Sequence, residues 1–283
     1  MAPVNPFSPQ EVEAQLGKRF MLQQELRIGG QGVVYRARRT QANDGTPAND
    51  NLALKLHFVA GQEERVEREI SAMERLRHPN LANLIEHGIL QLGGKPVRYA
   101  AWEFVDGSAL DAKLLRGPLS LRTVASIGRD VARALDHIWS QENIVHRDVN
   151  PKNIMLKTGD REAVLIDLGI ARHLTQDTIT TTGTTWGTIG YLSPEQARAE
   201  SQLTCASDVF SLGVVLQEAL AGKHPTNRDQ RALLLATPRT SDIAGQLPAE
   251  FGYLIDRMLH PRAAFRPSPR QLVEKFTDLL LRL

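Results

Sequence analysis

His146-Arg147-Asp148-Val149-Asn150-Pro151-Lys152-Asn153 is the stretch on which the reading of this chain turns. It mixes a carboxylate, an imidazole, a guanidinium and two carboxamides around a proline, so it reads as a loop. The Asp148 carboxylate can orient a hydroxyl, and the Asn153 carbonyl oxygen can ligate a hard cation. A second oxygen ligand of that kind follows at Asp167, in Asp167-Leu168-Gly169. Taken singly, Asp148 could cap a turn and Asn153 could stabilise a loop. The order and spacing of the three lift them above those local roles.

Upstream, Arg27-Ile28-Gly29-Gly30-Gln31-Gly32-Val33-Val34 joins glycines to a strand. Glycines let the backbone turn sharply and approach a ligand with amides free for phosphate oxygens. Alone this is weak, because ordinary hairpins use glycine too. It is neither a dinucleotide fingerprint, since no helix follows Gly32, nor a P-loop, since Gly-Lys-Ser/Thr is missing. Lys55 ends the apolar run Asn51-Leu52-Ala53-Leu54-Lys55 and needs a partner for its ammonium or a route to water. Glu69, on or beside the helical face set by Val66, Ile70, Met73 and Leu76, is one candidate; the bland alternative is an edge-strand lysine and a surface acid.

The periodicity sorts the rest. Val33-Val34-Tyr35 and Leu52-Ala53-Leu54 predict strands, with the turn-prone stretch Gln41–Asp50 as the loop between them. Pro79 ends the helix around Ile70, and strands are expected at Leu84–His87 and Val97–Phe104. Asp106-Gly107-Ser108 marks a break. Val124, Ile127, Val131, Leu135 and Ile138 then form an amphipathic stripe, loops and short strands fill Val145 to Asp167, and Thr175–Thr188 reads as a long loop. Val209–Leu220 is apolar on nearly all sides, and Leu272, Phe276 and Leu280 suggest a closing helix. The expectation is an α+β chain with a small strand-rich front and a larger helical back.

Together these motifs resemble the eukaryotic-type (Hanks-type) serine/threonine protein kinase family, in the form found in bacterial members. The family pattern is His-Arg-Asp, Asn five residues beyond the Asp, then Asp-Phe-Gly; Leu168 stands where Phe is common. The resemblance implies a bilobal fold over about Phe20 to Leu283, with a Pro-rich leader at 1–15, a small lobe at about 16–105 and a large lobe at about 106–283. It implies that Lys55 holds ATP phosphates and Glu69 orients it, that Asp148 orients the acceptor hydroxyl, and that Asn153 and Asp167 hold Mg2+, with Mn2+ able to substitute. The nucleotide would be bracketed by Ile28, Gly29, Gly30, Gln31, Gly32, Val34, Ala53, Glu103, Val105 and Met155, with Trp102 as gatekeeper. Asp208 is expected to accept backbone bonds from the His146–Arg147 turn, and Arg266 to pair with Glu195.

Gly187-Thr188-Ile189-Gly190-Tyr191-Leu192-Ser193-Pro194-Glu195 resembles the end of the family's activation segment, and favours a protein substrate. Thr178, Thr180, Thr181, Thr182, Thr184 and Thr185 are candidate phosphosites, where phosphate could pair with Arg147. A homodimer in which one copy phosphorylates another is compatible with this. Two departures stand out. Arg27 occupies the position of the first glycine, and Asn150 that of a catalytic-loop lysine, so a positive charge beside the transferring phosphate is missing. A nucleotide-binding pseudokinase scaffold and a small-molecule kinase are the rival readings. Val149-Asn150-Pro151-Lys152 lacks the Arg/Ala arrangement of tyrosine kinases, which favours serine/threonine.

The whole-chain numbers agree. Among 283 residues, 42% are hydrophobic and 23% charged, a globular balance. With 34 Lys+Arg against 32 Asp+Glu the formal charge is +2, which gives no electrostatic case for nucleic acid. The lone Cys205 excludes an internal disulfide and fits a reducing, cytoplasmic setting. No signal peptide or apolar run of spanning length is visible, so no intrinsic membrane segment is expected.

Overall fold

A computed structural model of the chain describes residues 5–29, 32–41, 47–57, 70–159, 162–168, 188–245 and 247–283, with backbone alone at Gly29 and Pro47. Its contacts divide into two units. The first takes the described residues up to Arg77 together with Ala82–Phe104, and the second His78–Leu81 and the described chain from Val105 on.

The first unit is built on a five-stranded antiparallel sheet. Its strands are β1 (Phe20–Gly29), β2 (Gly32–Gln41), β3 (Pro47–His57), β4 (Leu84–Leu92) and β5 (Lys95–Glu103), in the order β1-β2-β3-β5-β4. One face carries Val33, Tyr35, Leu52, Leu54, Leu56 and Tyr99 into a core. That core is closed from outside the sheet by helix α1 (Pro9–Leu16), which contributes Val12 and Leu16. Ser8 caps α1 by accepting from the Glu11 amide at 3.2 Å, and Pro9 supplies a preset φ at the first turn. The acidic side chains of α1 then serve the sheet: Glu13 accepts from the Leu22 amide at 2.8 Å and Glu11 from the Gly93 amide at 2.7 Å. The stretch read as a Pro-rich leader thus carries a helix that completes a core. Residues 70–75 are helical and bury Ile70 and Met73, as their spacing predicts.

The hairpin between β2 and β3 is tighter than the run of turn-prone residues suggests. Pro47–Asp50 belong to β3, paired through Gln41↔Pro47 and Arg39↔Asp50. Cross-strand side chains explain it: Arg39 pairs with Asp50 at 2.5 Å, and Arg38 donates to Asn49 at 2.6 Å.

The second unit is mainly helical. After strand β6 (Gly107–Ala109) come α2 (Leu110–Leu114) and α3 (Leu121–Glu142), whose buried stripe is Val124, Ile127, Val131, Leu135 and Ile138. Strands β7 (Ile154–Lys157) and β8 (Ala163–Leu165) join β6 in a small antiparallel sheet. Helices α4 (Pro194–Ala197), α5 (Cys205–Ala221), α6 (Gln230–Leu235), α7 (Thr240–Ala244), α8 (Ala249–Met258) and α9 (Pro269–Arg282) follow. Helix α5 is buried from Ser207 to Leu220, which its all-round apolar character requires. In α9 the buried register is Leu272, Phe276 and Leu279, not Leu280, because Leu279 lies two turns from Leu272 on the same face. The architecture is the bilobal α+β one: an antiparallel sheet with helix in one unit, a mainly helical second unit. Among the described residues, no helix is long and apolar enough to cross a membrane.

Candidate active site

The loop from His146 to Asn153 is fixed by its backbone. Asp208, in the first turn of α5, accepts from the His146 and Arg147 amides at 2.8 Å each. This holds Arg147 at φ 65°, a left-handed conformation that costs about 1–2 kcal/mol without such support. His146 is fully buried. Its Nδ1 accepts from the Asp148 amide at 3.3 Å, so Nε2 carries the proton and donates to the Ile166 carbonyl at 3.2 Å. Gln196 of α4 donates to the Arg147 carbonyl at 3.1 Å, tying the loop to the segment after Thr188.

Around Asp148 the polar groups converge. Asn150 Nδ2 lies 2.6 Å from Asp148 Oδ1, 3.0 Å from its carbonyl and 3.1 Å from Thr188 Oγ1. Thr188 Oγ1 donates to the same Oδ1 at 2.9 Å. Asn150 Oδ1 accepts from the Lys152 amide at 2.9 Å, capping the 3-10 turn Pro151–Asn153. These partners fix the amide orientation, since the reverse would set an oxygen against two acceptors. The residue that replaces lysine in the family pattern is therefore spent holding the carboxylate. It also meets Thr188, and its bond to Asp148 itself was not legible in the sequence, because it needs the loop's fold.

Asn153 Nδ2 donates to the Asp148 carbonyl at 2.9 Å, leaving its Oδ1 as the ligand-type atom. The Ile166 amide donates to the Asn153 carbonyl at 2.8 Å, which brings Asp167 into the same neighbourhood. Asp167 sits at φ 59°, a second left-handed non-glycine residue beside the loop. Among the described residues no three His, Cys, Asp or Glu side chains form a metal cage. One carboxylate and one amide oxygen suit magnesium, which takes one or two protein oxygens and completes its shell with phosphate and water.

The first unit holds the other site residues. Lys55 on β3 pairs in register with Val34 on β2 and Ala100 on β5, and is buried. Ile28 on β1, Val34 on β2 and Ala53 on β3 are half-buried, and Glu103 ends β5, where its carboxylate accepts from Asn83 at 2.7 Å. Trp102, also on β5, is 5% exposed, and its indole N–H lacks a partner among the described residues. Gly32 has a structural reason to be glycine: a Cβ there would sit 2.0 Å from the Leu56 carbonyl oxygen. In the second unit Val105 is buried and Met155 half-buried. Gly30, Gln31, Glu69 and the threonines from Thr178 to Thr185 lie outside the described residues, as do the side-chain surroundings of Gly29.

Beyond Thr188 the expected ion pair is present. Arg266 meets Glu195 with two bonds of 2.6 and 3.0 Å, and its remaining donors reach the carbonyls of His260, Ala206 and Pro261. Burial pushes the Glu195 carboxyl up, but the Arg266 bonds and charge, with Ser207, bring it below its ordinary value.

The model of the protein kinase domain family matches residues 20–276, nearly the whole chain. The chain belongs to the protein kinase domain family. It is similar to bacterial members of the Hanks type. The kinase domain is 34% identical over 239 residues to serine/threonine-protein kinase PknA of Mycobacterium tuberculosis, covering 83% of this chain and 54% of that protein. It is 36% identical over 216 residues to serine/threonine-protein kinase PknB of Mycolicibacterium smegmatis, covering 74% of this chain and 33% of the relative. The chain thus spans a third to about half of these curated relatives. Among solved structures, the kinase domain of Mycobacterium tuberculosis PknI aligns over 92% of this chain and 96% of its own, with a TM-score of 0.70 and 24% identity.

Proposed function

We propose that this kinase domain transfers the γ-phosphate of ATP to serine or threonine hydroxyls of proteins. The observation that carries the reading is the Asp148 carboxylate, oriented by Thr188 and Asn150. Such a carboxylate can accept a hydrogen bond from a hydroxyl and align it for attack, which is most of what phosphoryl transfer asks of a base. Asn153 and Asp167 would hold Mg2+ or Mn2+, and Lys55 with Glu69 the phosphates; Ile28, Gly29, Gly30, Gln31, Gly32, Val34, Ala53, Glu103, Val105 and Met155 would contact the nucleotide. Bound ATP and metal supply the phosphoryl group and its charge neutralisation. We further propose autophosphorylation between Thr175 and Thr185, one copy acting on another.

The deciding experiment incubates the chain with γ-labelled ATP, Mg2+ and myelin basic protein, beside Asp148→Asn. Label should enter the protein substrate with the wild type and be nearly lost with the variant. Equal labelling by both would sink the assignment, and nucleotide binding without labelling would favour a scaffold. Mass mapping of the wild type made with Mg-ATP should find phosphate within Thr175–Thr185; an unmodified stretch counts against autophosphorylation.

A further inference from the structure

Residues 190–192 follow directly on Thr188, whose hydroxyl touches the Asp148 carboxylate. A polypeptide that brings a hydroxyl to Asp148 comes close to Thr188, and so to the chain that continues from it. All their backbone polar groups are already engaged. The Gly190 and Leu192 amides both donate to Gln230 Oε1, at 2.9 and 3.2 Å, and Gln230 Nε2 donates to the Leu192 carbonyl at 2.8 Å. His224 Nε2 donates to the Gly190 carbonyl at 2.9 Å, Ser211 Oγ to the Tyr191 carbonyl at 2.7 Å, and the Tyr191 amide to the Thr188 carbonyl at 3.1 Å. The tautomer of His224 is set by its Nδ1, which accepts from the Thr226 and Arg228 amides at 3.2 and 2.8 Å.

Two consequences follow. Among the described residues, the backbone of 190–192 is committed to these bonds, so this stretch meets a passing chain through its contour, with Ile189 beside it exposed at 58%. And one side chain supplies three of the bonds that set that shape. Its amide orientation is fixed, because reversing it would face Nε2 to two N–H groups and Oε1 to a carbonyl. Gly190 tightens the arrangement: it sits at φ 98°, and a Cβ there would meet Arg228 Cα at 2.9 Å.

We propose that Gln230 is a positioning residue for the protein substrate, acting through the backbone of Gly190 and Leu192 and not on ATP; this rests on the kinase reading above. Its removal would strip three of the six bonds that set the loop's contour, while Asp148, Thr188 and the residues that would hold the metal keep their own bonds. A substrate-positioning role shows as a rise in KM for protein substrate, with kcat and KM for ATP held.

The test compares the wild type, Gln230→Ala and Gln230→Glu by steady-state kinetics with Mg-ATP and myelin basic protein. Gln230→Glu keeps the acceptor for both amides but sets an oxygen against the Leu192 carbonyl. Gln230→Ala should raise KM for myelin basic protein about tenfold, with kcat and KM for ATP within about twofold, and Gln230→Glu should fall between. Amide exchange at Gly190 and Leu192 should quicken in the order wild type, Glu, Ala, which reads the mechanism without catalysis. Unchanged KM in both variants, or equal rises in both KM values, would overturn the proposal while the kinase reading stands. A wild type that labels no protein would overturn both.

Discussion

The neutral clamp on Asp148 lends itself to a quantitative test. Asn150→Ala deletes the 2.6 Å bond to Asp148 Oδ1, and Thr188→Val deletes the 2.9 Å bond while keeping the side chain's shape. A hydrogen bond to a charged group is worth about 1.5–3 kcal/mol, so each change should lower kcat/KM by about 10- to 150-fold. Stability should respond less: Asn150 also caps the Pro151–Asn153 turn, a loss of about 1 kcal/mol. The two residues also touch each other at 3.1 Å, so the double variant should lose less than the product of the single losses, by about 0.5–3 kcal/mol of coupling. Thr188→Ser, which retains the hydroxyl, should recover most of the activity. The assay is labelled-phosphate transfer to myelin basic protein at fixed Mg-ATP, with a melting curve on each protein. Single variants within twofold of wild type, or fully multiplicative losses, would refute the view that Asn150 and Thr188 jointly orient the carboxylate. Asn150→Lys asks a separate question. It restores charge and forfeits the cap, so a gain in kcat with a lowered melting temperature would show that the missing cation limits the rate.

Three further outcomes concern stability. Arg266→Met leaves the Glu195 carboxylate buried without its partner, which should cost about 3–5 kcal/mol and lower the melting temperature by roughly 10 °C, read by calorimetry; a change under 2 °C would mean the pair is structurally idle. Because the folded Glu195 carboxyl lies below its ordinary value, its contribution is complete above about pH 4.3 and lost as pH falls through the folded value. Urea titrations from pH 6 downward should show that acid limb, and Glu195→Gln should flatten it; an unaltered limb would assign it to other carboxylates. Gly32→Ala forces a Cβ onto the Leu56 carbonyl and should destabilise the sheet by about 2 kcal/mol or more in chemical denaturation, even without nucleotide.

What the sequence made legible depended on how local the cause was. The stripe of α3 and the all-apolar α5 follow from periodicity, because burial on a helix repeats with the helix. The His146–Asn153 loop was readable because its chemistry is written in residue type and spacing. The α1 helix was obscured by prolines, although Ser8-Pro9 followed by Glu11 is a helix start; what stabilises so short a helix is the burial of Val12 and Leu16 against the sheet. Helix α8 carries Phe251, Leu254, Ile255 and Met258 at helical spacing behind Pro248 and Glu250, so its start and its buried face are both written locally. Pro47–Asp50 went the other way, turn-prone residues held in a strand by Arg38 and Arg39. The bonds of Asn150 and Gln230 span 38 residues of chain each, to Thr188 and Leu192, and no local pattern encodes them.

Those long-range bonds explain how a strained loop stays put. Arg147 and Asp167 both hold left-handed backbones that side chains disfavour, and each is flanked by hydrogen bonds that over-determine it: Asp208 and Gln196 for the first, His146 and Asn153 through Ile166 for the second. Asp208 is the member outside the loop whose loss frees the most, since its one carboxylate receives two of the loop's amides. Asp208→Asn keeps one acceptor oxygen and turns the other into a donor facing an N–H. It should therefore release Arg147 from φ 65° and unseat Asp148 with it, lowering kcat more than KM for ATP. Amide exchange at His146 and Arg147 would rise in step. If kcat fell while those amides stayed protected, the loop would be held by its other bonds, those of Gln196 and His146 among them, and the backbone strain would owe nothing to Asp208.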